Sequence, residues 1–191
     1  VVVLSILICT CLVQAMAVDD GMPYTDANGV MWTFSPRDYW YDDNGDGNST
    51  SHYYYTITGV SNYGDNVVVP PTMSYSGITY TIEAIDYGIF RNNLTLNSVS
   101  LPTTIKYIAG EAFYGCTALT KITGADNCEC IQDGAFQNCS SLASIDLSNC
   151  LYVGSSALYS CGNLTSIVSI AECKTVDSWA FYNTGLQVVN L

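Results

Sequence analysis

A two-residue apolar pattern returns at nearly constant spacing through the C-terminal half of the chain. Ile-Phe, Ala-Phe or Ala-Leu pairs begin at positions 89, 112, 135, 157 and 180, so the spacings are 23, 23, 22 and 23 residues. An Ile or Val lies four residues before each pair, and a Leu followed by an Ile or Val comes after it. This period is typical of repeat proteins, in which one unit cannot bury its apolar face alone and therefore stacks on its neighbours.

Each unit also contains a segment with the spacing of a leucine-rich-repeat strand. The third unit reads LASIDLSNC from Leu142 to Cys150. Successive strand residues point to opposite faces. The apolar residues of this segment, including Leu142 and Ile145, are expected to face inward. The pattern predicts one short strand per unit, followed by a tight helical or 3₁₀ turn that carries the Ala-Phe pair. We therefore expect a repeat solenoid with a parallel β-ladder over residues 79–191, in about five units. The final LQVVNL is strand-like and has no polar cap, so a truncated C-terminus is expected.

Two units resemble a known family. IKYIAGEAFYGCTALTKI and CECIQDGAFQNCSSLASIDL are similar to the BspA-like leucine-rich repeats of secreted and surface proteins, and LPTTIKYIAGEAFYGC follows that pattern almost residue for residue. The departures are Leu158 in place of Phe, Asn93 in place of the first Cys, and Thr184 in the last unit. The resemblance implies adhesion to extracellular-matrix or host proteins and to neighbouring cells.

The repeats predict a core made of one large apolar residue per unit and two sets of cysteines. Ile82 and Ile105 occupy the position of the second cysteine set in earlier units, which favours cysteine as a small hydrophobic filler. Disulfides between neighbouring units, such as Cys128–Cys150 or Cys150–Cys173, remain an alternative, because secretion is oxidising. The predicted core residues are Phe90, Phe113, Phe136, Leu158, Phe181, Cys116, Cys139, Cys161, Cys128, Cys150 and Cys173.

A seventh cysteine of the mature chain stands apart from both sets. Cys130 aligns with Tyr107, Tyr152 and Thr175, which predicts a half-exposed position and the most reactive thiol. A catalytic cysteine is not expected, since His52 is the only histidine and lies outside the repeats. We therefore predict no enzyme activity and no cofactor.

Residues 18–78 lack the period and predict a small β-rich N-terminal cap for the solenoid. The aromatic runs VMWTFSPRDYWY and SHYYYTITGV flank the turn-rich DDNGDGNST, which indicates two strands joined by a loop. Asp42, Asn44 and Asp46 match the first three ligand positions of a calcium loop. Tyr53 replaces the Glu at its twelfth position, so a plain turn is favoured and calcium remains a weak candidate.

Charge and the first residues narrow the environment of the protein. The 17 acidic residues against 5 basic ones give a net charge of -12, which disfavours nucleic acid and anionic membranes as partners.

Residues 1–17, VVVLSILICTCLVQAMA, are apolar and end in Ala-Met-Ala, as a signal peptide does. We expect a secreted or cell-surface protein with no membrane insertion of the mature chain. A lipid-modified Cys9 or Cys11 is the alternative.

The outward side of the repeat strands is the predicted binding surface. Its columns are mostly small hydroxyl and amide side chains, which suit hydrogen bonding to an extracellular protein or glycan. The alternative is that these 191 residues are the targeting part of a larger anchored surface protein or enzyme. The candidate binding residues are Ser98, Thr120, Lys121, Thr123, Ser144, Asp146, Thr165 and Ser166.

Overall fold

The computed structural model describes residues 21–41 and 45–187. The predicted signal peptide, and Asp42 and Asn44 of the calcium-loop candidate, lie outside these ranges. The strands are β1 (Met22–Thr25), β2 (Met31–Tyr41), β3 (Thr50–Ser61), β4 (Asn66–Val68), β5 (Thr72–Tyr75), β6 (Ile78–Thr81), β7 (Ala84–Ile85), β8 (Ser98–Ser100), β9 (Tyr107–Ile108), β10 (Lys121–Thr123), β11 (Cys130–Ile131), β12 (Ser144–Ile145), β13 (Tyr152–Val153), β14 (Ser166–Ile167) and β15 (Thr175–Val176).

The repeats form a β-solenoid with two parallel ladders, where the sequence predicted one. Ladder 1 consists of β7, β9, β11, β13 and β15, paired in parallel in that order. Ladder 2 consists of β4, β8 and β10, paired in parallel, followed by the parallel pair β12 and β14. Each complete unit thus gives one strand to each ladder, and the predicted solenoid fold is confirmed.

The core lies between the two ladders and contains a stack of aromatic rings. Phe90 and Phe113 are 5.0 Å apart with 6° between their planes, and Phe113 and Phe136 are 5.0 Å apart with 2° between theirs. The ring spacing follows from the stacking of the units, because adjacent strands lie about 4.8 Å apart. Of the predicted core residues, only Phe181 and Cys173 are half-buried, since within the described residues their unit has a neighbour on one side alone.

The Ala-Phe segments are turns and not helices, so the predicted helical or 3₁₀ conformation is wrong for them. In one unit, the N–H groups of Ala112, Tyr114 and Cys116 donate to the carbonyl three residues earlier. The N–H groups between them donate to the next unit instead, as in Phe113 to Ala135 at 2.8 Å. A 3₁₀ helix needs consecutive local bonds, and here every second N–H is used between units. Within the described residues, a 3₁₀ turn occurs only at Ala125–Asn127.

The N-terminal segment extends ladder 1 as an antiparallel sheet. Strands β1 and β2 pair antiparallel, as do β2 and β3, and β3 then pairs parallel with β7. The two aromatic runs therefore form the predicted pair of strands. A second hairpin, β5–β6, lies between β4 and β7 in the chain.

The far half of the β2–β3 hairpin covers the outer side of ladder 1. The Tyr39 ring stacks 3.9 Å from that of Tyr107, and Tyr41 reaches to 6.4 Å from Tyr152. Cys130 lies beneath this aromatic cover with no exposed surface. The predicted half-exposed Cys130 is therefore wrong, because a hairpin from outside the repeats shields its position.

Candidate ligand-binding surfaces

The predicted binding residues all lie on or beside the outward side of ladder 2, which we call the strand face. The inward residues Val99, Ile122 and Ile145 are buried, while their strand neighbours are exposed or half-exposed. Thr120 and Thr165 directly precede β10 and β14. Asp146 directly follows β12. The predicted binding residues that lie within strands are Ser98, Lys121, Thr123, Ser144 and Ser166.

A row of amide and hydroxyl groups crosses the first three strands of the strand face. Asn66 Oδ1 accepts hydrogen bonds from Ser98 Oγ at 2.7 Å and from Asn97 Nδ2 at 3.3 Å. The hydroxyl group of Thr120 in turn donates to two oxygens of Asn97, the side-chain Oδ1 and the backbone carbonyl oxygen, each 3.1 Å from Thr120 Oγ1. These bonds hold the side chains in one orientation, so a ligand meets a preformed polar surface and loses less side-chain entropy on binding.

Lys121 is the cation at the centre of the strand face. Its side chain is exposed and, among the described residues, it makes no ion pair, whereas Lys106 pairs with Glu129 at 3.3 Å. Further along the face, Asp146 Oδ1 accepts hydrogen bonds from the backbone N–H and hydroxyl of Ser148. Lys121 is therefore available to a ligand, while Asp146 also stabilises its own turn.

The cysteines of the repeats are thiols packed in or beside the core, and five of them donate hydrogen bonds. None of the seven in the described residues forms a disulfide. Cys116 Sγ donates to the carbonyl of Phe90 at 3.0 Å, and Cys139 and Cys161 contact the Phe113 and Phe136 carbonyls in the same way at 3.1 Å. In the second set, Cys150 Sγ donates to Tyr152 O at 3.1 Å. Each cysteine of the first set thus fills space and also donates a hydrogen bond to a carbonyl of the preceding unit.

Native thiol labelling is expected to spare six of these cysteines. Desolvation raises the pKa of Cys116 to about 11 and that of Cys161 to about 12, so at pH 8 both are almost wholly protonated as well as buried. Cys173 is half-buried and should react first. Iodoacetamide at pH 8, with peptide mass spectrometry before and after denaturation, measures the order. Rapid native labelling of Cys116, Cys139 or Cys161, or their recovery in disulfide-linked peptides, would contradict this arrangement.

The only histidine of the sequence and three tyrosines beside it are held in aromatic packing. His52 stacks on Tyr41 at 4.2 Å, and its Nε2 lies 2.8 Å from Thr50 Oγ1. Burial raises the pKa of Tyr39, Tyr41 and Tyr107 above the ordinary tyrosine value, so these phenols stay neutral. The cluster consequently stabilises the hairpin against ladder 1.

The part of the calcium-loop candidate within the described residues is a turn. Asp46 Oδ1 accepts a hydrogen bond from the backbone N–H of Asn48 at 2.8 Å, which is the geometry of an Asx turn. Among the described residues there is no group of three or more His, Cys, Asp or Glu that could hold a metal ion. The calcium hypothesis itself stays untested, because Asp42 and Asn44 lie outside them.

A cleft at the N-terminal end of the strand face was not predicted from the sequence. It encloses about 230 Å³ between the turn at Asp26–Val30, the turn at Asn62–Gly64 and strand β4. Its polar lining includes Asp26, Asn28 and Asn62. In the sequence these residues read as ordinary turn formers, and only the fold brings the turns together.

The chain belongs to the BspA-type leucine-rich repeat family. The model of that family, described as the BspA type leucine-rich repeat region, matches residues 73–191 in six copies. A search of the curated proteins gives no match. Family and fold are those of repeat-type binding proteins.

Solved structures of bacterial proteins, two of them named for leucine-rich sequence or repeats, share this fold. The T. pallidum leucine-rich repeat protein is 27% identical with a TM-score of 0.58, covering 76% of this chain and 63% of that chain. A leucine-rich cell surface protein of Faecalibacterium prausnitzii is 21% identical with a TM-score of 0.55, covering 89% and 48%. The pneumococcal vaccine antigen PcpA is 19% identical with a TM-score of 0.59, covering 86% and 42%. This chain therefore spans less than two thirds of each.

The described residues hold no helix that is both long and apolar enough to span a membrane.

Proposed function

We propose that this protein is a secreted or cell-surface binding protein that holds an extracellular protein or glycan on the strand face. The observation that carries the proposal is the ordered row of amide and hydroxyl groups on ladder 2, with the exposed Lys121 beside it. The signal-peptide pattern of residues 1–17 and the surface location named for the F. prausnitzii relative support the extracellular setting.

The second candidate is that the strand face serves as the targeting part of a larger surface protein or enzyme. The solved relatives favour it, because this chain spans less than two thirds of their length. Both candidates place ligand binding on the same face. They differ in what else the whole protein does, which the sequence of the full-length gene product would decide.

Charge reversal at Lys121 is expected to weaken ligand binding without affecting the fold. Lys121→Glu places a negative charge at the centre of the face, and Ser144→Arg places a bulky side chain on the strand face further along. A central contact of this kind is commonly worth about 1–2 kcal/mol, or roughly 5- to 30-fold in affinity. An array of immobilised extracellular-matrix proteins and glycans, probed with wild type and both variants, measures the change.

Lys174→Glu is the matched control, because Lys174 is also exposed and lies next to ladder 1. Circular dichroism should show the same melting curve for all variants. If Lys121→Glu and Ser144→Arg both bind every array component as the wild type does, the strand face is not the binding surface.

A further inference from the structure

The cleft at the N-terminal end of the strand face has the chemistry of a sugar site. We propose that it binds one neutral pyranose ring, as the terminal residue of a glycan that continues along the strand face. The continuation along the face rests on the proposed function, whereas binding of the single sugar ring rests on the cleft alone.

Hydrogen bonds make the cleft rigid before any ligand arrives. Asp26 Oδ1 accepts from the backbone N–H groups of Asn28 at 2.8 Å and Val30 at 3.1 Å, and its Oδ2 accepts from Trp32 Nε1 at 3.1 Å. Asn62 Nδ2 donates to the carbonyl of Gly29 at 2.9 Å, which ties the two turns together. A site held in this way loses little conformational entropy on binding.

The lining combines hydroxyl-binding groups with an apolar wall. The side-chain amide of Asn28 and the Oδ1 atom of Asn62 make no hydrogen bond to another described residue. An amide both donates and accepts, as a sugar hydroxyl does. Tyr63 and Val68 supply apolar surface for the C–H groups of a pyranose ring.

The charge and the volume of the cleft favour an uncharged ligand with a single sugar ring. None of the described residues that line the cleft is Lys or Arg. Desolvation raises the pKa of the Asp26 carboxyl group, but the hydrogen bonds from Trp32 and three backbone N–H groups outweigh it, so the pKa is lowered and Asp26 is ionised. A carboxylate repels phosphates and uronic acids and accepts hydrogen bonds from neutral hydroxyls. The volume of about 230 Å³ is below that of pockets for drug-sized ligands, which begin at about 300 Å³.

The cleft opens onto the strand face through a shared residue. Asn66 lines the cleft and also accepts the hydrogen bonds from Ser98 and Asn97 that begin the polar row. A ligand whose terminal ring occupies the cleft therefore meets the amide and hydroxyl row directly. This continuity favours a glycan chain over an isolated small molecule.

Direct titration with free sugars tests the cleft. The probes are D-glucose, D-galactose, D-mannose and N-acetyl-D-glucosamine, with D-glucuronate as the anionic comparison, followed by saturation-transfer NMR. We expect saturable binding of at least one neutral sugar with a Kd on the order of millimolar, as suits a ligand of about twelve non-hydrogen atoms. Glucuronate should bind about tenfold more weakly than glucose or not at all.

Two variants with matched controls locate the binding. Gly64 lines the cleft, and a side chain there starts in open space, so Gly64→Leu should abolish sugar binding and leave the fold intact. Gly162→Leu is its control, since Gly162 is equally open and lies in a distant unit. Asn28→Ala should weaken binding about tenfold. Asn48→Ala is its control, because Asn48 donates to Asp46 in the same turn geometry that joins Asn28 to Asp26.

Absence of saturable binding for all four neutral sugars would overturn the proposal, as would unchanged binding by Gly64→Leu. The strand-face variants Lys121→Glu and Ser144→Arg separate it from the proposed function, because neither residue lines the cleft. If both variants bind every array ligand normally while Gly64→Leu still loses the free sugar, the strand-face function fails and the sugar site stands.

Discussion

Replacing Phe136 by Ala is expected to lower the free energy of unfolding by about 3–5 kcal/mol. Phe136 has no exposed surface, and its ring stacks 5.0 Å from Phe113 in the middle of the array. Removing the ring leaves a cavity that the neighbouring units cannot fill, because their backbones are hydrogen-bonded to one another on both sides. Equilibrium denaturation in urea, followed by circular dichroism and tyrosine fluorescence, measures the loss.

Leu94→Ala is the control for that measurement, since Leu94 is 65% exposed. Its effect should stay within about 0.5 kcal/mol, as for other surface changes. Both optical signals should give the same transition if the array unfolds as one unit. A Phe136→Ala protein that unfolds at the same urea concentration as the wild type would show that the ring is not in the core.

Gly124→Ala is expected to lower the free energy of unfolding by about 2–4 kcal/mol, which is a large effect for the addition of one methyl group. Gly124 has a φ of 82°, in the left-handed region where a side chain costs about 1 kcal/mol. A Cβ atom there would also overlap the carbonyl oxygen of Leu101, in the neighbouring unit. That segment cannot move away easily, because the N–H of Leu101 donates to Thr123 at 2.8 Å. The two units would have to separate locally.

Substitutions at two other glycines separate the conformational contribution to this free-energy change from the steric one. Gly77 has a φ of 78° with open space around it, so Gly77→Ala should cost only the conformational part, about 1 kcal/mol. Gly64 has neither the left-handed backbone nor a close neighbour, and Gly64→Ala should change stability by less than about 0.5 kcal/mol. If Gly124→Ala lowers the free energy of unfolding no more than Gly77→Ala does, the two units do not approach each other closely at Leu101.

The solenoid and the inward register of ladder 2 could be predicted because both are local properties of the sequence. Each unit repeats the same apolar spacing, so the burial of Leu119, Leu142 and Leu164 follows from the period itself. Ladder 1 was missed because its strands in the repeats are two residues long and lack the leucine-rich-repeat spacing that marks the ladder 2 segment Leu142–Cys150. The turn conformation was missed because the hydrogen bonds that prevent a 3₁₀ helix come from the neighbouring unit.

The remaining differences come from contacts that are distant in sequence. Cys130 aligns with Tyr107, Tyr152 and Thr175, residue types that predict a half-exposed position, yet the β2–β3 hairpin covers it from far earlier in the chain. The cleft joins Asp26, Asn62 and Asn66, which belong to two turns and a strand. Turn residues of this kind are common in any loop, and their sequence positions carry no signal that they meet.

The β2–β3 hairpin limits where the number of repeats can change during evolution. Tyr39 stacks on Tyr107 in β9, the carbonyl of Trp40 accepts a bond from Gln132 Nε2 at 3.4 Å, and Tyr41 approaches Tyr152 in β13. Duplicating a unit between β9 and β13 would move Tyr152 about 4.8 Å further from Tyr41. A unit inserted after β15 would leave these contacts unchanged. Copy number is therefore constrained beneath the hairpin and free to vary beyond it.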